Sequence, residues 1–557
     1  MNNTKKAITL LFVFCLMFSC FGQGKYWIHF TDKNDSHYSI ERPEEFLSSR
    51  AIEKRQKFNI AITEEDFPVN QDYIAKILQL DTTAAWLHSS KWLNGVTIYS
   101  EDPLFAEKVR RLPFVAEIEQ TIRLDSAEIF IQDSLPGYCT LRLPPSGTKT
   151  PESKDYDYGE CLAQVRLNNI HWLHRLGYSG RGMVMMVMDA GFSRVDTLAC
   201  FQKLRSENRL LGTRNFVLPK ENPFKKGSHG TMVLSCITSE KPGRLIGTAP
   251  QAAFYLAKTE DERTENKIEE DNWVAGIEWA DSLGVDVLNS SLGYTRFDDS
   301  VHHPRTFEDL NGKTSRASQA ATIAARKGMI ICNSAGNEGN KQWHHIGTPA
   351  DAEGIITVGS TTALGQKSNF SSFGPTADGR VKPDACATGS MTIVANPQGR
   401  FTCSFGTSFS SPLLAGMVAC LWQAFPDKPN TDIIAAVQQA GNQFEKPDNA
   451  LGYGITDFLK AYNLLYTTPL PSIKVSLPSF IISKKKIKIN IHSTKRQSVS
   501  IILRQRLSGE ETRIEKSLKE GENSLKLKAM CRQNGYEIID LQIITEEGIQ
   551  NFVLGCE

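Results

Sequence analysis

The chain has 557 residues, with 63 Lys and Arg against 62 Asp and Glu, for a formal charge of +1. That balance gives no electrostatic case for a nucleic-acid partner or an anionic membrane surface. The length predicts about two to four domains, each able to bury a core, and no run beyond the N-terminus is long and apolar enough to span a bilayer.

In chain order, Lys5-Lys6 followed by the apolar run from Ala7 to Phe18 reads as a signal peptide over residues 1–23. It implies bacterial-type export to a secreted or cell-surface location. Met17-Phe18-Ser19-Cys20 leaves lipoprotein anchoring open as a second reading of the same segment. Residues 24–150 alternate strand and helix signals. Tyr26 to Phe30 reads as a strand, Pro43 to Asn59 as a charged helix and Tyr73 to Leu80 as another. Strands are predicted within Ser90 to Tyr99 around Asn94-Gly95, a helix over Pro103 to Arg111 and a strand over Val115 to Ile118. The stretch from Ser134 to Glu160 is rich in Pro, Gly, Ser and Lys and reads as a linker.

The uninterrupted apolar run Met183 to Met188 predicts a strand buried on both faces of a parallel sheet. Asp189 ends it and so lies at the strand's C-terminal edge, where open α/β sheets build their sites. His229 stands in Gly227-Ser228-His229-Gly230-Thr231, ahead of the apolar segment Met232 to Ile237. Further strands are predicted over Val285 to Leu288 and Gly328 to Cys332. Gly406-Thr407-Ser408 precedes Pro412 and the apolar stretch Leu413 to Cys420, a serine set at a helix start with Pro412 expected in the opening turn. A serine needs a base within reach and a group that orients the base. Taken singly, each segment has a plain alternative: a helix start, a turn, a structural histidine. Taken together and in order, they point to a nucleophilic serine.

After Tyr466, Thr467 to Pro471 reads as a linker, and Lys486 to Ile491, Ser498 to Leu503 and Ser524 to Leu527 alternate as strands do. Residues 473–557 are therefore expected to form a small β-sandwich. It is either an accessory domain or, through a loose resemblance of its last hairpin, a sorting domain for outer-membrane secretion. The loop from Tyr294 to Ser315, with Asp298-Asp299 and His302-His303, reads as a solvated surface loop, with cation binding as the alternative. Twelve cysteines show no CxxC pair, which argues against a zinc framework. Cys332 and Cys420 sit in core-like segments, and Cys531 with Cys556 and Cys386 with Cys403 are candidate disulfides.

Asp189-Ala190-Gly191, His229-Gly230-Thr231 and Gly406-Thr407-Ser408 resemble, in this order, the three signatures of the subtilisin-like serine peptidases. The resemblance implies an α/β fold, a subtilisin-like parallel sheet with helices on both faces over residues 156–466. A small α+β propeptide would precede it and the β-sandwich follow it. It implies Ser408 as nucleophile, His229 as general acid and base, and Asp189 as the group that fixes the imidazole tautomer. Asn337 matches the oxyanion-hole donor, Ser291-Leu292-Gly293 one wall of the substrate cleft, and Ser334-Ala335-Gly336 the opposite wall. Ala190 stands where a threonine is common, Thr388 where a proline is, and Phe409-Ser410 where Met-Ala is. The expected function is a secreted endopeptidase working through an acyl-enzyme on protein or peptide substrates, with an apolar or broad preference before the scissile bond. Glu338 would instead favour a basic residue there. Its own propeptide would serve as intramolecular inhibitor and chaperone until cut between Ser134 and Glu160; a permanent N-terminal domain is the alternative. No organic cofactor or catalytic metal is implied. Structural calcium is familiar in the family, but no ligand set maps onto this chain. A catalytically silent binding module, or a peptide ligase on the same fold, stay open as rival functions.

Overall fold

The computed structural model describes residues 24–123, 155–298, 302–478, 480–481, 486–528 and 536–556. The expected signal segment with Cys20, most of the Ser134–Glu160 linker, Asp299 and Cys531 lie outside the described residues.

The N-terminal unit is a four-stranded antiparallel sheet of β1 (Gly24–Phe30), β2 (Ala85–Ser90), β3 (Gly95–Ser100) and β4 (Val115–Arg123), in the order β2-β3-β1-β4. Tyr26, Ile28, Phe30, Val96 and Ile98 pack against Ile74, Ile77, Phe105 and Val109. The latter come from helices later in the unit than the one predicted over Pro43–Asn59. That predicted helix is broken in two, a single turn at Pro43–Glu45 and then α1 (Ser49–Lys57). Ser48 caps α1 by accepting the Ala51 amide. Two further helices follow, α2 (Gln71–Leu78) and α3 (Phe105–Arg110).

Seven parallel strands form the central sheet: β5 (Val184–Asp189), β6 (Leu210–Asn215), β7 (Ala253–Lys258), β8 (Val287–Ser290), β9 (Ile330–Ser334), β10 (Ile356–Thr361) and β11 (Ala385–Thr388). Their order is β11-β10-β9-β8-β5-β7-β6. Along β5, Met185 and Val187 join the core beneath α4 (His229–Thr238), while Val184, Met186 and Met188 join the core on the opposite face. Burial on both faces is why this strand reads as a continuous apolar run. The opposite face is covered by α5 (Ile268–Ser282) and α6 (Arg316–Arg326). The first carries α7 (Thr407–Ala424) alongside α4. Cys332 and Cys420 are buried in this core, as expected.

The N-terminal unit sits on α5 and α6 through charge. Glu278 accepts the amides of Lys91 at 2.8 Å and Trp92 at 3.1 Å. Asp281 lies 2.7 Å from both Lys91 and Arg55, Arg55 also reaches Asp66 at 3.3 Å, and Lys327 meets Asp66 at 2.9 Å. Arg55, Asp66, Lys91 and Asp281 are all buried. Burial pushes the Asp281 carboxyl up, but Lys91 and Arg55 outweigh it and hold it down at about 2. Arg316 joins Asp271 and Glu119, each at 2.7 Å. From α1, Lys54 donates to the Val285 carbonyl at 2.7 Å, so the unit also grips the N-terminal end of β8.

The C-terminal unit is a sandwich of a three-stranded and a five-stranded sheet. Ile487, Ile489 and Ile491 face Val499, Ile501, Leu541, Ile543 and Leu554 across the shared core. The Asn463 side chain donates to and accepts from the backbone of Val553, both at 2.8 Å, and the Arg175 guanidinium lies 3.8 Å from the Tyr536 ring centre. Two sequence expectations change. Cys386 and Cys403 are not bonded: Cys386 is buried in β11 with its thiol on the Leu451 carbonyl at 3.3 Å, and Cys403 is exposed on a separate ribbon. The loop after β8 is no plain solvated loop. Tyr294 is buried with its hydroxyl on Glu260 at 2.6 Å, Asp298 accepts the Glu265 amide at 2.7 Å, and Arg305 pairs with Glu270. Among the described residues, no group of three or more His, Cys, Asp or Glu side chains is placed to hold a metal ion. Cys556 is disulfide-bonded.

Candidate active site

Asp189 closes β5 at the sheet's C-terminal edge and is fully buried. Its Oδ1 accepts the Ala190 amide at 2.8 Å and His229 Nδ1–H at 2.8 Å. Oδ2 has no hydrogen-bond partner among the described residues. Alanine at position 190 offers no hydroxyl to fill that role.

His229 opens α4 with its side chain about a third exposed, 30% against 0% for Asp189. A Cβ at Gly230 would lie 2.5 Å from the Gly191 carbonyl oxygen and 2.9 Å from Asp189 Cβ, so only glycine lets the helix's first turn close on the aspartate loop. Burial disfavours the imidazolium, but the Asp189 carboxylate, its hydrogen bond and the more distant Glu262 outweigh it and raise the pKa above the usual 6.5. With Nδ1 committed to Asp189, Nε2 is left for exchange.

Ser408 is the second residue of α7, half-buried, and its amide falls among the first-turn N–H groups that have no intrahelical acceptor. Pro412 is not in the opening turn, as the sequence reading had it, but inside the helix. It cannot donate to the carbonyl four residues back, which is that of Ser408. The vacated carbonyl takes the Ser291 hydroxyl at 2.9 Å instead, tying the helix to the end of β8. The Ser408 hydroxyl points weakly at the Ser291 carbonyl, 3.5 Å away. Among the described residues no hydrogen bond joins it to His229. The two are neighbours through Phe409, whose ring centre lies 6.0 Å from that of His229.

Asn337 follows β9 by three residues, and its Oδ1 accepts both the amide of Thr407, at 2.9 Å, and its hydroxyl, at 3.1 Å. The acceptor end is therefore used up and the Nδ2 donors face away from it. A point built at a Gly406 Cβ would be 3.7 Å from both Asn337 Nδ2 and the Ser408 amide nitrogen. Both nitrogens thus border the space that the glycine, at φ +145°, leaves empty, with Asn337 Oδ1 3.8 Å from the same point. Thr407, which sequence reasoning passed over, is the clamp that aims Asn337.

The expected cleft walls are brought side by side, since β8 and β9 are adjacent and Ser290 pairs in register with Asn333. Leu292 is half-buried and Gly293 exposed, while Ser334 and Ala335 are buried and Gly336 is half-buried. Ser334 and Ala335 can therefore line a cleft mainly with backbone. Glu338 is tied to Lys341 at 2.8 Å on the surface. Glu262, which accepts the Ser228 amide at 3.2 Å beside His229, had no motif to reveal it.

Residues 180–454 match the profile of the Subtilase family, and residues 25–132 that of the Peptidase S8 propeptide domain of Bacteroidota. Over 267 residues, 47% of this chain, it is 28% identical to subtilisin of Bacillus pumilus, covering 84% of that protein. It is also 28% identical over 267 residues to subtilisin E of Bacillus subtilis (strain 168), of whose length the match spans 61%. Among solved structures, MycP1 from Mycobacterium smegmatis aligns at 21% identity and a TM-score of 0.41, over 58% of this chain and 87% of that one. The chain belongs to the subtilase family of serine peptidases.

Proposed function

We propose that this protein is an exported serine endopeptidase made with an N-terminal propeptide, residues 24 to about 150, that holds it inactive. Ser408 Oγ attacks the substrate carbonyl while His229 Nε2 takes its proton. Asp189 stabilises the imidazolium, and Asn337 Nδ2 with the Ser408 amide receive the oxyanion. His229 then protonates the leaving amine and water hydrolyses the acyl-enzyme. The 2.8 Å bond between His229 and the buried Asp189 carries this reading. The long Ser408 contact fits it too, since catalytic hydrogen bonds are often long without substrate and tighten only in the complex. The disulfide at Cys556 supports export to an oxidising compartment. The test is incubation of purified, processed protein with defined peptides and weighing of the products. Fragments carrying one added water are expected, and products joined without water would support a ligase instead.

Two quantitative results follow from the site. Because His229 must be neutral to accept a proton and its pKa is raised, kcat/KM is expected to fall by about tenfold per pH unit below a midpoint above 6.5. A pH profile whose acid limb bends below 6.5 would contradict the Asp189 pairing. Asn337→Ala is expected to lower kcat by about 10²- to 10³-fold with little change in KM, the loss seen on removing the corresponding subtilisin donor. Steady-state kinetics on one peptide decide it.

A further inference from the structure

The outer face of the three-stranded sheet in the C-terminal unit carries charge of one sign. Its strands are Ile473–Ser476, Lys486–Ser493 and Gly521–Lys528, with Lys486–Ser493 in the middle. Ile487, Ile489 and Ile491 face the sandwich core, so Lys488, Asn490 and His492 fall on the outside, where Lys488 and His492 are exposed. Lys488 is directly opposite Lys526, which is also exposed, and two residues further along Lys486 is in register with Lys528. Cross-strand neighbours lie about 5 Å apart and next-but-one residues about 7 Å, so the four lysine positions fall within about 9 Å of one another. Among the described residues, neither Lys488 nor Lys526 has an acidic partner, and the acid that these three strands carry, Glu522, is taken by His492 at 2.9 Å.

Like charges directly opposite each other weaken a sheet, and a chain of formal charge +1 has acids enough to avoid it. The five-stranded sheet does avoid it. There Arg504 is opposite Glu511, Arg513 lies 3.0 Å from Glu515, and Arg506 lies 2.8 Å from Asp540. Lysines on edge strands guard a sheet against pairing with another chain, but Lys486 and Lys488 belong to the central strand, paired on both sides. The lysine block is therefore held at a local cost that an anionic partner would offset. Its surroundings say which anion. Asn490 is in register with Ser476 on one side and Ser524 on the other, a row of neutral hydrogen-bonding residues next to the lysines. Among the described residues of this unit, the large apolar side chains that stand exposed, Leu507 and Ile549, lie on the five-stranded half. The lysine face thus has no apolar side chain to insert into a bilayer, and no Phe, Tyr or Trp to stack on a nucleic-acid base.

We propose that this face docks on an acidic polysaccharide, with the sugar carboxylates on the lysine block and the sugar hydroxyls on the Ser476–Asn490–Ser524 row. The C-terminal unit then holds the protein on a polyanionic matrix while the cleft stays free for peptides. The inference makes no use of the triad and stands apart from the peptidase reading.

The test measures binding of purified full-length protein to polygalacturonate, with neutral dextran as the control, over a series of salt concentrations. Binding to polygalacturonate alone is expected, weakening steeply as salt rises. Lys488→Gln with Lys526→Gln is expected to lower the affinity by about tenfold or more. Arg504→Gln with Arg513→Gln, an equal loss of charge on the other sheet, is expected to change it by less than about twofold. Lys488→Arg with Lys526→Arg is expected to keep binding, and the glutamine pair to melt no lower than wild type, since it removes two opposed like charges. No binding by wild type at low salt, or equal affinity in the glutamine pair, would overturn the docking face. Tighter binding to phosphatidylglycerol vesicles or to single-stranded DNA than to polygalacturonate would overturn the choice of a polysaccharide.

Discussion

Ser408→Ala is expected to lower kcat/KM on peptide substrates by at least about 10⁴-fold, the magnitude familiar when triad members are removed from serine peptidases. The reason is local. Ser408 is the second residue of α7, its amide and Asn337 Nδ2 border the space at Gly406, and Phe409 beside it packs on His229. Ser291 and Ser410 do not substitute for it. The Ser291 hydroxyl is spent on the Ser408 carbonyl, and Ser410 is fully buried. Since the carbonyl contact and the helix start do not need the Ser408 hydroxyl, the variant is expected to fold as wild type does. Retention of even a hundredth of wild-type activity would show that the site lies elsewhere.

Arg55→Met is the second large effect, and it acts on the propeptide. Arg55 is 2% exposed and bridges Asp66 of its own unit to Asp281 of α5. Removing one partner from a buried ion pair costs about 3–5 kcal/mol, because the charges left behind are neither solvated nor matched. Expressed as affinity, that weakens the grip of the cleaved propeptide on the catalytic unit by roughly 10²- to 10⁴-fold. Diluting processed protein and timing the appearance of peptidase activity measures it. Activity is expected far sooner in Arg55→Met than in wild type. Arg42→Met is the control, because the Arg42–Glu45 pair is solvent-exposed and such pairs contribute about 1 kcal/mol or less. Equal release times for Arg55→Met and wild type would mean that the buried network does not hold the propeptide.

The candidate site was more legible in the sequence than its surroundings. Asp189, His229, Ser408 and Asn337 each sit at the end of a strand or the start of a helix that hydrophobic patterning marks. Glycines beside His229, Gly227 and Gly230, marked where backbones come close. The clamps between these residues were not legible, since Thr407 on Asn337 and Ser291 on the Ser408 carbonyl are contacts between segments distant in the chain. Pro412 read as an opening-turn residue because proline prefers that position. In the fold its missing amide matters further along, where it frees a carbonyl for Ser291. The predicted helix over Pro43–Asn59 broke because its charged residues are divided between a surface turn and an interface, and Arg55 is buried against a partner that local pattern cannot show. Likewise nothing local marks Glu278 and Asp281 as interface residues, since a polar stripe looks the same whether it meets water or a docked domain. The strand Glu511–Leu518 escaped notice because, on the outer edge of its sheet, it is polar and mostly exposed. The Cys386–Cys403 pairing failed for a related reason, as sequence spacing carries no information on which cysteine is buried in the central sheet.

The most direct test of the triad is covalent labelling. Processed wild type and Ser408→Ala are treated with a fluorophosphonate, and the modified peptide is located by mass spectrometry. A single adduct on Ser408 in wild type, with none in Ser408→Ala, is the expected result. An adduct on another residue, or equal labelling of the two proteins, would contradict the assignment of Ser408 as the nucleophile activated by His229 and Asp189.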